Sequence, residues 1–144
     1  MTPNPTPNPT PNPTPNPSLR SSALSLLGCL GLLAALAPAA HAAGDAKLGA
    51  DLFAENCSEC HSLKEGKNKK GPSLFAGIGR KAATVPDFVY SEPLKASGIV
   101  WTAETLDPYL ALPKKVVPGG RMKYDGMPDP KARADLIAFL ATVR

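Results

Sequence analysis

The chain has 144 residues, and eight of its 17 prolines fall within the first 17 positions. That asymmetry takes the N-terminus out of any folded core, and the remainder is long enough for one small globular unit, which excludes a two-domain enzyme with its own cofactor fold. The 16 Lys and Arg against 12 Asp and Glu give a net charge of +4, too weak to name nucleic acid as a partner but enough to favour acidic protein surfaces.

Positions 2–17 read TPNPTPNPTPNPTPNP. The tract carries no charge, and every second residue is proline, so residues 1–18 are expected as an extended, disordered arm; a docking ligand or a spacer are its functional alternatives. Residues 19–42 read as a secretory signal peptide: Arg20, an apolar run from about Ala23 to Ala37, Pro38, then Ala40-His41-Ala42 in an A-x-A arrangement. The run falls short of the roughly 20 residues of a spanning helix. Cleavage is expected after Ala42, with an uncleaved membrane anchor or lipidation of Cys29 as alternatives; the apolar residues that continue past Cys29 weigh against the latter. Removing the leader leaves residues 43–144 as the mature domain, with Cys57, Cys60 and His61 as its only cysteines and histidine and a charge of +3 after the loss of Arg20.

The first helix is predicted from Asp45, an N-cap candidate, to Asn56, with Leu48, Leu52 and Phe53 on one face and Gly49 allowing close approach of another helix. At its end stands Cys57-Ser58-Glu59-Cys60-His61. A disulfide closing so short a loop would constrain the unfolded chain little. A redox dithiol is expected near a βαβ pattern that this chain lacks. Structural zinc wants a fourth ligand, and no further Cys or His exists in the mature domain. The remaining reading is covalent attachment of c-type haem. Cysteines three apart at a helix end project on one side and can form thioethers to one porphyrin edge, while the adjacent His61 is held beneath the iron as proximal ligand.

Residues 62–101 read as loops, with at most short helical turns around 74–78 and 92–97, because Gly, Pro and Lys interrupt every apolar run. A helix over Thr102–Leu112 contains Pro108, whose ring costs about 3 kcal/mol in a helix interior, so that helix is expected to start late or to kink. Met122 and Met127 are the two thioether donors left for a sixth iron position, and spacing alone does not choose between them. The last helix starts at Asp129 as N-cap with Pro130 at N1, and carries Ala132, Leu136, Phe139, Leu140 and Val143 at helical spacing. The domain is therefore predicted to be all-α, small and loop-rich, wrapped around one covalently attached haem c that replaces much of the side-chain core.

Beyond the C-x-x-C-H string, the chain carries Gly49 and Phe53, Gly71-Pro72, Gly79-Arg80-Lys81, Phe88-Val89-Tyr90, Gly98-Ile99-Val100-Trp101, Tyr109, Pro113-Lys114-Lys115, Pro118-Gly119-Gly120-Arg121-Met122 and Asp135-Leu136-Ile137-Ala138-Phe139-Leu140. In order and spacing these resemble the class I mono-haem cytochromes c, nearest the bacterial c2 and mitochondrial-like branch, over residues 44–144. The resemblance implies Met122 as distal ligand and the Pro72 carbonyl as acceptor for the His61 ring N–H. It further implies haem propionate contacts for Arg80, Tyr90 and Trp101, and a place near the Met122 sulfur for Tyr109. Gly120 stands where the family usually carries a threonine whose hydroxyl helps hold a propionate, so a looser Met122 loop is expected. Lys64, Lys67, Lys69, Lys70, Lys81, Lys114, Lys115, Arg121 and Lys123 fall in segments that the resemblance places around the exposed haem edge, a ring suited to acidic docking surfaces. The implied function is a monomeric, non-enzymatic periplasmic electron carrier, taking electrons from a membrane cytochrome bc1-type complex and passing them to an oxidase, reductase or photosynthetic reaction centre. The alternative is a membrane-tethered subunit acting as the electron-exit port of a dehydrogenase.

Overall fold

The computed structural model describes residues 44–144; the arm expected over 1–18 and the signal peptide over 19–42 lie outside them. Helix α1 spans Ala46–Asn56, α2 Glu92–Ala96, α3 Ala103–Ala111, α4 Pro113–Val116 and α5 Pro130–Thr142. Among the described residues the extended structure is a single isolated antiparallel bridge, Lys81 to Val100.

The Asp45 side chain starts α1 by accepting the backbone N–H groups of Lys47 and Leu48 at 2.8 and 3.3 Å. At the other end the N–H groups of Cys57 and Ser58 both donate to the Phe53 carbonyl, which tightens the last turn and sets both cysteines just past the helix. α1 lies across α5 with almost no space between backbones: a Cβ on Gly49 would fall 2.0 Å from the Asp135 carbonyl oxygen. This close approach centres the buried stripe of α1 on Gly49 and Phe53 and turns Leu48, expected on the buried face, outward to 49% exposure. Phe53 packs on Phe139 of α5 at 5.8 Å between ring centroids. Phe53, Leu110, Met127, Leu136, Ile137 and Leu140 form the side-chain core. Leu136 is fully buried, and truncating it to alanine should cost about 2–5 kcal/mol.

α5 begins as the sequence indicates, with Asp129 accepting from Lys131 N at 2.9 Å and Pro130 in the first turn. The buried Asp135 carboxylate accepts the Asp45 N–H at 2.6 Å and the Lys131 ammonium at 2.7 Å, tying the start of α1 to the middle of α5. α3 does not start late. Thr102 and Thr105 form a reciprocal capping box, and the helix runs through Pro108 to Ala111, with the Leu112 N–H donating to the Pro108 carbonyl at 3.2 Å. Pro108 is on the exposed side, where its missing donor removes one bond without an overlying element to repack. Residues 74–78 form turns rather than a helix, while Glu92–Ala96 closes as the short helix α2. The short α4, which Pro113 opens, had no sequence signal beyond that proline.

Candidate functional site

Between α1, α3, α5 and the long loops lies a cavity of about 660 Å³, within the range of cofactor pockets. Cys57, Cys60, His61, Pro72, Arg80, Tyr90, Trp101, Tyr109 and Met122 all line it, so the fold gathers every expected site residue around one space. Met127, in contrast, is buried in the core, with its N–H on the Leu110 carbonyl.

The two cysteines are free thiols, Cys57 half-buried and Cys60 exposed. Burial, and secondarily the neighbouring Cys60, pushes the Cys57 thiol up to about 11, so its sulfur is uncharged in the apolar wall. His61 Nδ1 lies 2.8 Å from the Pro72 carbonyl oxygen, to which it donates, leaving Nε2 as the ring's available donor of an electron pair. Burial pushes the imidazole below its ordinary value, the Pro72 bond opposes this, and Lys69 adds to it; the ring is neutral at pH 7, the form that ligates a metal. Gly71 makes room for that ring, since a Cβ there would sit 2.4 Å from His61 Cε1 and 2.8 Å from either nitrogen.

The Tyr109 hydroxyl donates to Met122 Sδ at 3.4 Å, fixing the thioether, and burial raises the phenol so that it stays a donor. Trp101 stacks on Tyr109 at 4.8 Å with a 52° tilt. A clasp holds the wall behind them: Gly79 N donates to the Trp101 carbonyl, Trp101 N to the Arg80 carbonyl and Ala82 N to the Ile99 carbonyl, at 2.7–2.9 Å. The Arg80 guanidinium donates to the carbonyls of Phe75 and Ser73 at 2.6 and 2.9 Å. Its role in the fold is thus to join backbone segments as well as to face the cavity. The Tyr90 hydroxyl accepts the Val85 N–H at 3.3 Å.

Two free thiols on one wall, a neutral imidazole, a positioned thioether and apolar surroundings suit a covalently attached iron porphyrin. The family model for cytochrome c matches residues 46–144. The chain belongs to the cytochrome c family. Among its relatives, the cytochrome c2 of Rhodopila globiformis is 46% identical over 101 residues, covering 70% of this chain and 95% of that protein. The cytochromes c of Cochliobolus lunatus and Arabidopsis thaliana are each 48% identical over 98 residues, covering 67% of this chain and 91% and 88% of theirs. As a cytochrome c it binds haem c covalently, and Cys57 and Cys60 stand in the C-x-x-C-H spacing for that attachment. It is an electron-transfer protein.

Two members of the basic ring are paired with carboxylates. Lys70 pairs with Glu59, Lys114 with Asp125 at 3.0 Å, and the Lys69 ammonium donates to the Ser58 carbonyl. Among the described residues, Lys81, Arg121 and Lys123 line the cavity and form no salt bridge. Sequence reasoning passed over Gly71 as a packing residue and Tyr124 as a wall residue. Tyr124 stands two residues after Met122, and that adjacency was the available signal; nothing local announces which ring will lie on Gly71.

Proposed function

We propose that this cytochrome c is a freely diffusing periplasmic electron carrier in which His61 and Met122 are the axial ligands and Cys57 and Cys60 carry the thioethers. The observation behind it is the pairing of His61 Nδ1 with the Pro72 carbonyl and of Met122 Sδ with the Tyr109 hydroxyl around one cavity that also holds both thiols. Bound haem supplies a one-electron Fe(II)/Fe(III) couple. The Pro72 carbonyl orients the His61 ring and raises its basicity, whereas the neutral Met122 thioether favours the reduced state, so the potential is positive. Tyr90, Trp101 and Arg80 line the cavity and would hold the propionates of the bound group. Met122 would fill the sixth iron position and leave no site for oxygen or peroxide, which supports a carrier rather than an enzyme. Lys81, Arg121 and Lys123 at the rim favour acidic surfaces on membrane redox complexes, a bc1-type donor and an oxidase, reductase or reaction-centre acceptor, with encounter that weakens as salt screens it. Among the described residues no helix is long and apolar enough to cross a membrane. Met122→Ala tests the assignment: haem stays attached, the thioether-to-ferric-iron absorption band disappears and the ferrous protein takes up carbon monoxide. Persistence of the band in that variant would sink it.

A further inference from the structure

In the run Lys64–Lys70 every residue is exposed except Asn68, which is turned inward. Both faces of its amide are used. Oδ1 accepts the Ser73 N–H at 2.9 Å, and Nδ2 donates to the Pro86 carbonyl at 3.0 Å, 18 residues away. A backbone N–H can only donate and a carbonyl can only accept, so the two partners themselves fix which way the amide points.

The Ser73 N–H and the Pro72 carbonyl are the two ends of one planar peptide unit. The far end of that unit takes the His61 Nδ1–H at 2.8 Å. Asn68 Oδ1, the 72–73 peptide and the His61 ring therefore form one line of hydrogen bonds running from the loop surface to the ring. Bonds in such a chain polarise one another, so accepting from the Ser73 N–H makes the Pro72 oxygen a stronger acceptor. Ser73 is 2% exposed, so with Asn68 in place its N–H is shielded from bulk water. Its remaining groups are also committed, the hydroxyl to the Lys64 carbonyl at 2.7 Å and the carbonyl to Arg80 Nη2 at 2.9 Å. The peptide is held in one orientation.

We infer that Asn68 is a positioning residue for electron transfer: through the Pro72–Ser73 peptide it sets the electron-donating strength of His61, and through Pro86 it separately pins the 84–90 wall that bears Phe88 and Tyr90. The inference rests on His61 being the iron ligand. A more basic ligand favours the ferric state, so Asn68 holds the potential lower than the His61–Pro72 bond alone would. Because an amide does not titrate, this support is constant with pH.

The two bonds can be separated in the intact haem protein. Asn68→Ala removes both; Asn68→Asp is isosteric, keeps an acceptor at Ser73 and loses the donor to Pro86. We expect Asn68→Ala to raise the midpoint potential and move the His61 Nδ1–H proton resonance of the ferrous protein upfield. Asn68→Asp should lower the potential, while amide hydrogen exchange in residues 84–90 speeds up in both. An equal upward shift in both variants, or faster exchange with potential and Nδ1–H resonance unchanged in Asn68→Ala, would overturn the inference and leave Asn68 a loop brace. Absence of the thioether band from the parent protein would instead strike the ligand assignment, so the two failures are distinguishable.

Discussion

Gly71→Ala puts the smallest possible side chain into the position that matters most to His61. The new Cβ would lie 2.4 Å from Cε1 and 2.8 Å from Nδ1 and Nε2, against an ordinary contact of 3.4–4 Å, so the ring must move by about an ångström. Gly71 itself cannot retreat freely, because its N–H donates to the Cys60 carbonyl at 2.8 Å and its carbonyl accepts from Lys69 N at 2.9 Å. A ring displaced that far loses the 2.8 Å bond to Pro72. Overpacking of about 1–3 kcal/mol and a lost hydrogen bond of about 0.5–1.5 kcal/mol together give about 2–4 kcal/mol. For a domain of this size that lowers the thermal midpoint by about 10 °C or more. Thermal unfolding of the haem protein followed by circular dichroism in the haem band reads the loss directly. Gly66→Ala is the control, since its Cβ meets nothing within 4 Å and its cost is confined to a φ of 63°. If Gly71→Ala unfolds no earlier than that control, the packing of His61 against Gly71 does not constrain the ring and the reasoning fails.

Tyr109→Phe deletes the donor to Met122 Sδ; at about 0.5–1 kcal/mol, ferric protein titrated with imidazole should bind it about two- to fivefold more tightly, and unchanged affinity would show the hydroxyl to be idle. Asp135 is held below the ordinary carboxylate value, first by the Lys131 hydrogen bond and then by the Asp45 N–H, so it contributes stability above its unfolded value of about 3.8 that is lost as pH falls through the lower folded value. Asp135→Asn should therefore be less stable than the parent in denaturant titrations at pH 7, with the gap closing as pH drops below about 4; a gap constant to pH 2 would exclude the ionised pair as its source. Intact mass of the protein from its own cells should correspond to a chain beginning at Ala43 plus one haem; retention of residues 19–43 would establish the tethered form instead.

What the sequence made legible follows from range. Asp45, Gly49, Pro130 and the apolar spacing of α5 act within one or two helical turns, and α1 and α5 stand where those signals put them. The C-x-x-C-H string is equally local. Met122 was singled out by resemblance alone, and the feature that separates it from Met127 in the structure, the Tyr109 hydroxyl on one sulfur and core packing around the other, spans 13 residues with no periodicity to reveal it. The same holds for Asn68, whose partners Ser73 and Pro86 sit in irregular loops. Leu48 was misplaced for a related reason: the α1–α5 crossing is fixed by a backbone approach at Gly49 rather than by the breadth of the apolar stripe.

The loops that resist prediction are the part that holds the site. His61 rests on the Pro72 carbonyl, Arg80 on those of Ser73 and Phe75, and Asn68 on that of Pro86; each is a side chain from one segment fastened to the backbone of another. Backbone carbonyls do not titrate and have few torsions to relax, so dipoles fixed in this way need little rearrangement when the charge on a bound iron changes by one. A regular helix spends its own carbonyls internally and has few to offer. The irregular backbone between residues 62 and 101 supplies these carbonyls, and the side-chain core of α1, α3 and α5 packs beside the cavity they surround.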